Sequence, residues 1–262
     1  METQYKLIKV IKKKQSKFPV RKLIEINLGD RTFVASLDAF GFNNFFDKNV
    51  AKMQKQYSHP KTGKTITFRE PTTAESILVA SYDFEKRAKP KILDSNWLQL
   101  GRIVKTSEGV FANPPKDAQG NPITDEQILK SYLNRIKPVK VKKGKIYIVP
   151  DSENLKDFSF ADYNSFNHET PQYTRDFVKG GLARILEHTQ TPEKFREIAS
   201  KKNYPWELIN LFGVYPNKME MPFERIVSLH SDGYMGGMGL SVGGIISCDG
   251  EGSAFGVLDD KC

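Results

Sequence analysis

Short β-prone runs separated by glycine-containing turns lie near both ends of the sequence, and they constrain the fold more than any other feature. Near the N-terminus, residues 22–28 and 32–37 flank Gly29-Asp30, which is the pattern of a β-hairpin. Near the C-terminus, turns containing Asp-Gly separate three more such runs, at 223–230, 239–248 and 253–258. A chain with this pattern needs at least one antiparallel sheet.

Helix-start signals occur between these β-rich ends. Thr72 with Glu75, and Thr124 with Gln127, form capping boxes, in which two side chains satisfy each other's free backbone amides. The boxes predict helices over about 73–87 and 124–136. Threonines before prolines predict two more at about 171–188 and 192–202, and a further helix begins near 205.

We therefore predict an α+β fold with a basic β-rich N-terminal part, a helical middle and a C-terminal antiparallel β-meander. The polar, acidic and aromatic stretch 150–170 is interpreted as a connecting loop or short helix. It divides residues 1–150, a basic β-rich region with two helices, from residues 151–262, a helical segment followed by the meander. One integrated domain is the alternative, since 262 residues suit either arrangement.

Charge is distributed unevenly along the chain, whose net charge is +9. Residues 1–145 carry 29 Lys and Arg against 14 Asp and Glu, a net +15, whereas residues 146–262 carry 11 against 17, a net −6. Such asymmetry favours a polyanionic partner or association of the basic half with the acidic half of another copy. Most of the basic residues are lysines, which suit phosphate contacts better than base reading.

Two clusters of basic residues carry this charge. The candidate nucleic-acid-binding residues are Lys12, Lys13, Lys14, Lys17, Arg21, Lys22, Lys137, Lys140, Lys142, Lys143 and Lys145. The β-prone runs beside the clusters could be neighbours in one sheet. Aromatic residues also lie nearby, at Phe33, Phe40, Phe42, Phe45, Phe46 and Phe68. A positive groove with exposed rings would bind single-stranded nucleic acid; the alternative is that the lysines solvate a sheet and the phenylalanines are core.

Catalytic motifs are matched only in part. The segment 239–243 fits G-x-S-x-G with Ser241 as a hydrolase nucleophile, but that motif needs a following helix and a later histidine. The residues after it are β-prone, and no histidine follows His230. Gly63-Lys64-Thr65 resembles the end of a P-loop, yet Ser58 stands where the first glycine belongs, which favours a basic hairpin turn.

Metal and membrane signals are weak. His230, Asp232, Cys248 and Cys262 lack the paired short spacing of a zinc site, so we predict no metal and no cofactor. Two cysteines suit a reducing compartment. No apolar run approaches the ~18 residues of a membrane helix, and no secretory signal begins the sequence. The expectation is a cytoplasmic protein without a membrane partner.

Three functions are consistent with these features. The first is a non-catalytic binding protein for nucleic acid or another polyanion, acting through a lysine-rich face. The second is a structural or assembly protein of a viral or mobile-element particle, which self-associates. The third is a hydrolase that uses Ser241. A binding protein is favoured over an enzyme because no complete catalytic constellation is visible.

Overall fold

The computed structural model describes residues 4–9, 18–27, 32–86, 98–141, 144–148, 158–165, 209–210, 223–232, 239–246 and 252–258. In these residues the protein is mixed α+β, mostly strands, with three α-helices and mainly antiparallel sheets. The predicted fold class is confirmed at that level. The helices predicted at 171–188 and 192–202 lie outside the described residues. The helix predicted to begin near 205 is wrong at Ile209–Asn210, which form a short strand.

The helices are α1 (Phe46–Met53), α2 (Thr73–Lys86) and α3 (Glu126–Leu133), and a 3-10 turn covers Tyr163–Ser165. The first nine strands are β1 (Gln4–Ile8), β2 (Leu23–Asn27), β3 (Thr32–Ser36), β4 (Phe40–Asn44), β5 (Tyr57–Ser58), β6 (Thr65–Ile66), β7 (Phe68–Arg69), β8 (Leu98–Lys105) and β9 (Gly109–Ala112). The others are β10 (Val139–Val141), β11 (Gly144–Ile148), β12 (Ser159–Asp162), β13 (Ile209–Asn210), β14 (Phe223–Asp232), β15 (Gly239–Ile246), β16 (Gly252–Ala254) and β17 (Val257–Leu258).

These strands form two large sheets and one small one. The five-stranded sheet has the order β1-β2-β3-β17-β7. The ten-stranded sheet has the order β10-β11-β12-β9-β8-β14-β15-β13, with β16 joined to β8 and β4 joined to β16. β5 and β6 pair with each other. The hairpin predicted around Gly29-Asp30 is confirmed as β2 with β3, and β8 pairs with β9 as a second antiparallel pair.

The stretch predicted as a loop contains a buried strand. β12 lies between β11 and β9 in the ten-stranded sheet, with Phe160 opposite Phe111 and their ring centroids 4.7 Å apart. The interpretation of 150–170 as a loop or short helix is therefore wrong at this strand. The acidic residues around it obscured the signal, because burial of Phe158 and Phe160 outweighs the polarity of their neighbours.

The C-terminal strands follow the predicted meander only in part. β14 and β15 pair antiparallel, with Leu229 opposite Val242. The third predicted run is divided into β16 and β17, which pair with β4, β8, β3 and β7 and not with β15. The end of the chain thus joins strands of the N-terminal half in both large sheets.

The main core lies between the two sheets. The central turns of α2 are buried on every side, and the helix contacts both β2 and β8. Its residues Ile77 and Val79 belong to one apolar cluster with Ile24 of the five-stranded sheet and Ile103 of the ten-stranded sheet. A helix buried on all sides is a core element, and here it joins the two sheets into one packed unit.

The caps of two helices explain where they begin. At α2 the predicted capping box is confirmed: the Glu75 amide donates to the Thr72 hydroxyl at 3.2 Å, and the Thr72 amide donates to the Glu75 carboxylate at 2.8 Å. At α3 the predicted box is wrong. Asp125, and not Thr124, is the N-cap, because its carboxylate accepts from the amides of Gln127 and Ile128.

A second apolar cluster supports α1, which the sequence did not predict. Phe45 is at the N-cap position and makes no capping hydrogen bond, so no start signal precedes the helix. Phe46 and Met53 pack with Phe40 and Tyr57 in this cluster. Asn49 of α1 is also buried, and its amide nitrogen donates to Gln99 at 2.8 Å and to the carbonyl of Gly252 at 3.0 Å. These two hydrogen bonds of Asn49 therefore hold α1 against β8 and β16.

Candidate nucleic-acid interface

The first basic cluster ends beside the β5–β6 hairpin. Val20 forms an isolated parallel bridge with Ser58, and the Ser58 amide donates to the carbonyl of Pro19 at 3.0 Å. The chain then passes through Arg21 and Lys22 into β2. This pairing brings the last two residues of the predicted cluster next to a hairpin that sequence reasoning did not connect with them.

Arg21 is held in one orientation by its surroundings. Its guanidinium carbon lies 4.0 Å from the ring centroid of Phe40 and 5.2 Å from that of Tyr57. One terminal nitrogen donates to the carbonyls of Asp38 at 3.2 Å and Ala39 at 3.3 Å. The aromatic faces and the two backbone acceptors together restrict the orientation of this cation.

Helix α1 adds lysines to the same region. Lys48 and Lys52 are four residues apart and so lie on one side of the helix, and Lys55 follows its C-terminus. The Tyr57 hydroxyl donates to the carbonyl of Lys52 at 2.7 Å. Tyr57 therefore contacts both Arg21 and the last turn of α1.

The β5–β6 hairpin carries two more exposed lysines, Lys61 and Lys64. The His59 amide donates to the Lys64 carbonyl at 2.8 Å, and the Gly63 amide donates to the His59 carbonyl at 2.9 Å. Gly63 has a φ of +69°, a conformation that favours glycine. The predicted basic hairpin turn is confirmed, and the P-loop alternative is excluded because a strand, not a helix, follows Lys64.

We call these cations the basic surface: Arg21, Lys22, Lys48, Lys52, Lys55, Lys61 and Lys64. Lys22, Lys55, Lys61 and Lys64 are exposed, and no member forms an ion pair with an acidic residue in the described part of the chain. The α1 carboxylate, Asp47, pairs instead with Arg102. The charges of these seven cations are therefore not neutralised by ion pairs within the described residues.

The phenylalanines near this surface belong to the core. Phe33, Phe40, Phe46 and Phe68 are each at most 3% exposed. Phe40, Tyr57 and Phe68 pack edge to face with centroids 5.3 to 5.6 Å apart. The expectation that these four rings are exposed for base stacking is wrong, and the alternative that they are core is confirmed.

A network around Arg102 fixes α1 relative to the sheet. The Arg102 guanidinium donates to Glu70 at 3.1 Å and also to Asp47 and Glu224, and it lies 4.9 Å from the ring centroid of Phe46. Lys116 joins the network through Glu70 at 2.7 Å. Burial of Arg102 is the largest influence and lowers its pKa, but Glu70 and the hydrogen bonds to Asp47 and Glu224 raise it, and the net pKa is above the ordinary value.

The second basic cluster lies in the other large sheet. Lys137 is exposed after α3, Lys140 is in β10 and exposed Lys145 is in β11, at the edge of the ten-stranded sheet. The Lys145 amide donates to Asp162 at 2.7 Å. Because Lys22 precedes a strand of the five-stranded sheet, the expectation that the flanking strands are neighbours in one sheet is wrong. Lys12, Lys13, Lys14, Lys17, Lys142 and Lys143 lie outside the described residues.

The other candidate chemistry has little support in the described residues. Ser241 lies inside β15 with His230 opposite it on β14, and β15 continues to Ile246, so the strand-to-helix turn of a nucleophile elbow is missing. No group of three or more His, Cys, Asp or Glu side chains in the described ranges could hold a metal ion. Cys248 and Cys262 lie outside those ranges.

Comparison with known proteins adds no relative. No protein-family model, curated protein or solved structure matches the chain. None of the helices in the described ranges has the length and apolar character that a membrane span requires.

Proposed function

We propose that this protein is a non-catalytic binding protein for nucleic acid or another polyanion, and that the basic surface carries the binding. The observation that supports this most is that Tyr57 of the β5–β6 hairpin contacts the guanidinium of Arg21 and the last turn of α1, so that three chain segments rich in cations are neighbours. Lysines that only solvate a protein surface are expected to be interspersed with carboxylates.

The composition of the surface suggests how it binds. Its cations are one oriented arginine and six lysines, while Phe40, Phe46 and Phe68 beneath them are buried. Without an exposed ring from that group, contacts would be made to phosphates and not to bases. Affinity should then depend strongly on salt and little on base sequence.

The predicted clusters extend the proposal beyond the basic surface. Lys12, Lys13, Lys14 and Lys17 precede Arg21 in the chain and would add contacts next to it. Lys137, Lys140, Lys142, Lys143 and Lys145 would form a second contact region at the β10–β11 hairpin. Substituting each group separately would show whether one ligand engages both.

The test is binding of single- and double-stranded oligonucleotides, measured by fluorescence anisotropy at two salt concentrations. For duplex DNA the log–log slope against salt should be about −0.9 for each phosphate contact. Substituting Lys61→Gln and Lys64→Gln together should reduce the magnitude of that slope by about 0.9 for each lost contact.

A matched control has the same change in net charge at other sites. Lys6 pairs with Glu25 and Lys130 pairs with Glu108, so Lys6→Gln with Lys130→Gln removes two lysines outside the basic surface. Equal losses in the two double variants, or no binding at low salt, would overturn the proposal. Growth of particle size with concentration in the absence of oligonucleotide binding would favour the assembly function instead.

A further inference from the structure

The turn of the β5–β6 hairpin contains an imidazole in an uncommon position. Nδ1 of His59 accepts a hydrogen bond from the backbone amide of Lys61 and another from that of Thr62, both at 3.2 Å. Only an unprotonated ring nitrogen can accept these bonds. The contacts therefore define the protonation state of Nδ1 in this turn.

Two adjacent amides that converge on one acceptor resemble the backbone arrangement that binds anions. Here the lone pair of His59 takes the place that an anionic oxygen would fill. When Nδ1 gains a proton it becomes a donor, and both amides lose their acceptor. The same event adds a positive charge to a turn that already carries the exposed side chains of Lys61 and Lys64.

We propose that the His59 turn is a binding site for a phosphate oxygen of the polyanion, and that protonation of His59 opens it. This inference rests on the proposed function, since it assigns one contact and a form of regulation to the basic surface. The ligand group is a phosphodiester oxyanion, which would accept from the amides of Lys61 and Thr62 and pair with the imidazolium.

The surroundings of His59 agree with such a switch. Partial burial, the larger influence, and the charge of Lys61 lower the pKa of His59, so the turn is closed at neutral pH. Lys61 is the charged group that acts on His59, Lys64 is exposed on the same turn, and Arg21 lies over Tyr57 of the same hairpin. The adjacent segment, Phe18 to Val20, is uncharged. Since a bound oxyanion favours the imidazolium, ligand binding and protonation should strengthen each other.

The site can be tested with sulfate, a dianion whose charge does not change between pH ~5 and ~8, on either side of the ordinary imidazole pKa of about 6.5. Nitrogen-15 NMR of the full chain should show saturable shifts of the Lys61 and Thr62 amides at the lower pH only. His59→Asn keeps an acceptor for both amides and cannot be protonated, so it should remove the response. His59→Lys carries a charge and no acceptor, so it should respond at both pH values.

A second measurement separates this site from the proposed function. Acidification should make the salt slope of duplex binding steeper by about 0.9, one phosphate contact, in the natural protein and not in His59→Asn. The variant retains His168, His188 and His230, so the difference between the two proteins isolates the contribution of His59. Equal pH dependence in both proteins, or sulfate shifts that persist in His59→Asn, would overturn the His59 site and leave the proposed function intact. If the natural protein does not bind the duplex at either pH but sulfate still shifts the Lys61 and Thr62 amides, the proposed function is overturned and the His59 site is supported.

Discussion

The guanidinium of Arg21 lies on the ring of Phe40, with 4.0 Å between the guanidinium carbon and the ring centroid. Phe40 is completely buried, so its position is set by the core beneath the β5–β6 hairpin. Hydrogen bonds to the carbonyls of Asp38 and Ala39 fix the same guanidinium from the side. Arg21 is thus a cation of fixed orientation, and core packing determines its direction.

Replacing this arginine should separate the effect of charge from that of orientation. Arg21→Lys keeps the charge but loses the stacked, planar group, so we expect a weaker oligonucleotide affinity with an unchanged salt slope, and a loss of about 0.5–1 kcal/mol in the free energy of unfolding. Arg21→Gln should also reduce the slope by about 0.9. Anisotropy titrations and urea unfolding provide the two measurements. Equal affinity of Arg21→Lys and the natural protein would show that orientation is unimportant.

The network around Arg102 should be important for stability. The Arg102 side chain is 10% exposed, and Arg102→Met would leave Glu70 and Glu224 without their central cation. Removing one partner of a buried ion pair costs about 3–5 kcal/mol, which urea unfolding would detect as a lower midpoint at similar slope. Lys6→Gln breaks an exposed pair with Glu25 and should change stability by less than about 1 kcal/mol. Similar effects of the two substitutions would contradict the central role of Arg102.

Stability should also depend on pH through His59. Its folded pKa is below that of a free imidazole, so the folded state binds fewer protons than the unfolded state. The contribution is present above the ordinary pKa of about 6.5 and is lost as pH falls through the lower folded pKa. Urea midpoints measured between pH ~8 and ~5 should therefore fall less in His59→Asn than in the natural protein. A larger fall in the variant would mean that the sign of the pKa shift is wrong.

Whether an element could be predicted from the sequence depended on how far along the chain its stabilising contacts reach. The β2–β3 hairpin and the start of α2 were predictable because their signals, a glycine turn and the Thr72–Glu75 box, act over a few residues. β12 and α1 were missed because they depend on distant partners: Phe160 on Phe111, and Asn49 on Gln99. Tertiary burial outweighs local propensity in both elements.

The same distinction applies to the candidate interface. Local charge density identified Arg21 and Lys22, but nothing in the sequence linked them with Lys61 and Lys64, because the link is the bridge between Val20 and Ser58. Likewise, phenylalanine content could not distinguish stacking rings from core rings, and only burial of Phe40 and Phe68 does so. Long-range pairing determines which charged residues share a surface.

The N-terminus of α3 offers a direct test of a local signal against the observed contact. A capping box predicts that Thr124 starts the helix, whereas the Asp125 carboxylate accepts from the Gln127 amide at 2.9 Å and the Ile128 amide at 3.0 Å. Asp125→Ala should therefore lower the free energy of unfolding by about 1 kcal/mol, because two amides at the helix start lose their acceptor. Thr124→Ala, one residue away, should change it by less than about 0.5 kcal/mol. Urea unfolding of both variants decides the matter, and a larger loss for Thr124→Ala would restore the capping box as the true start of α3.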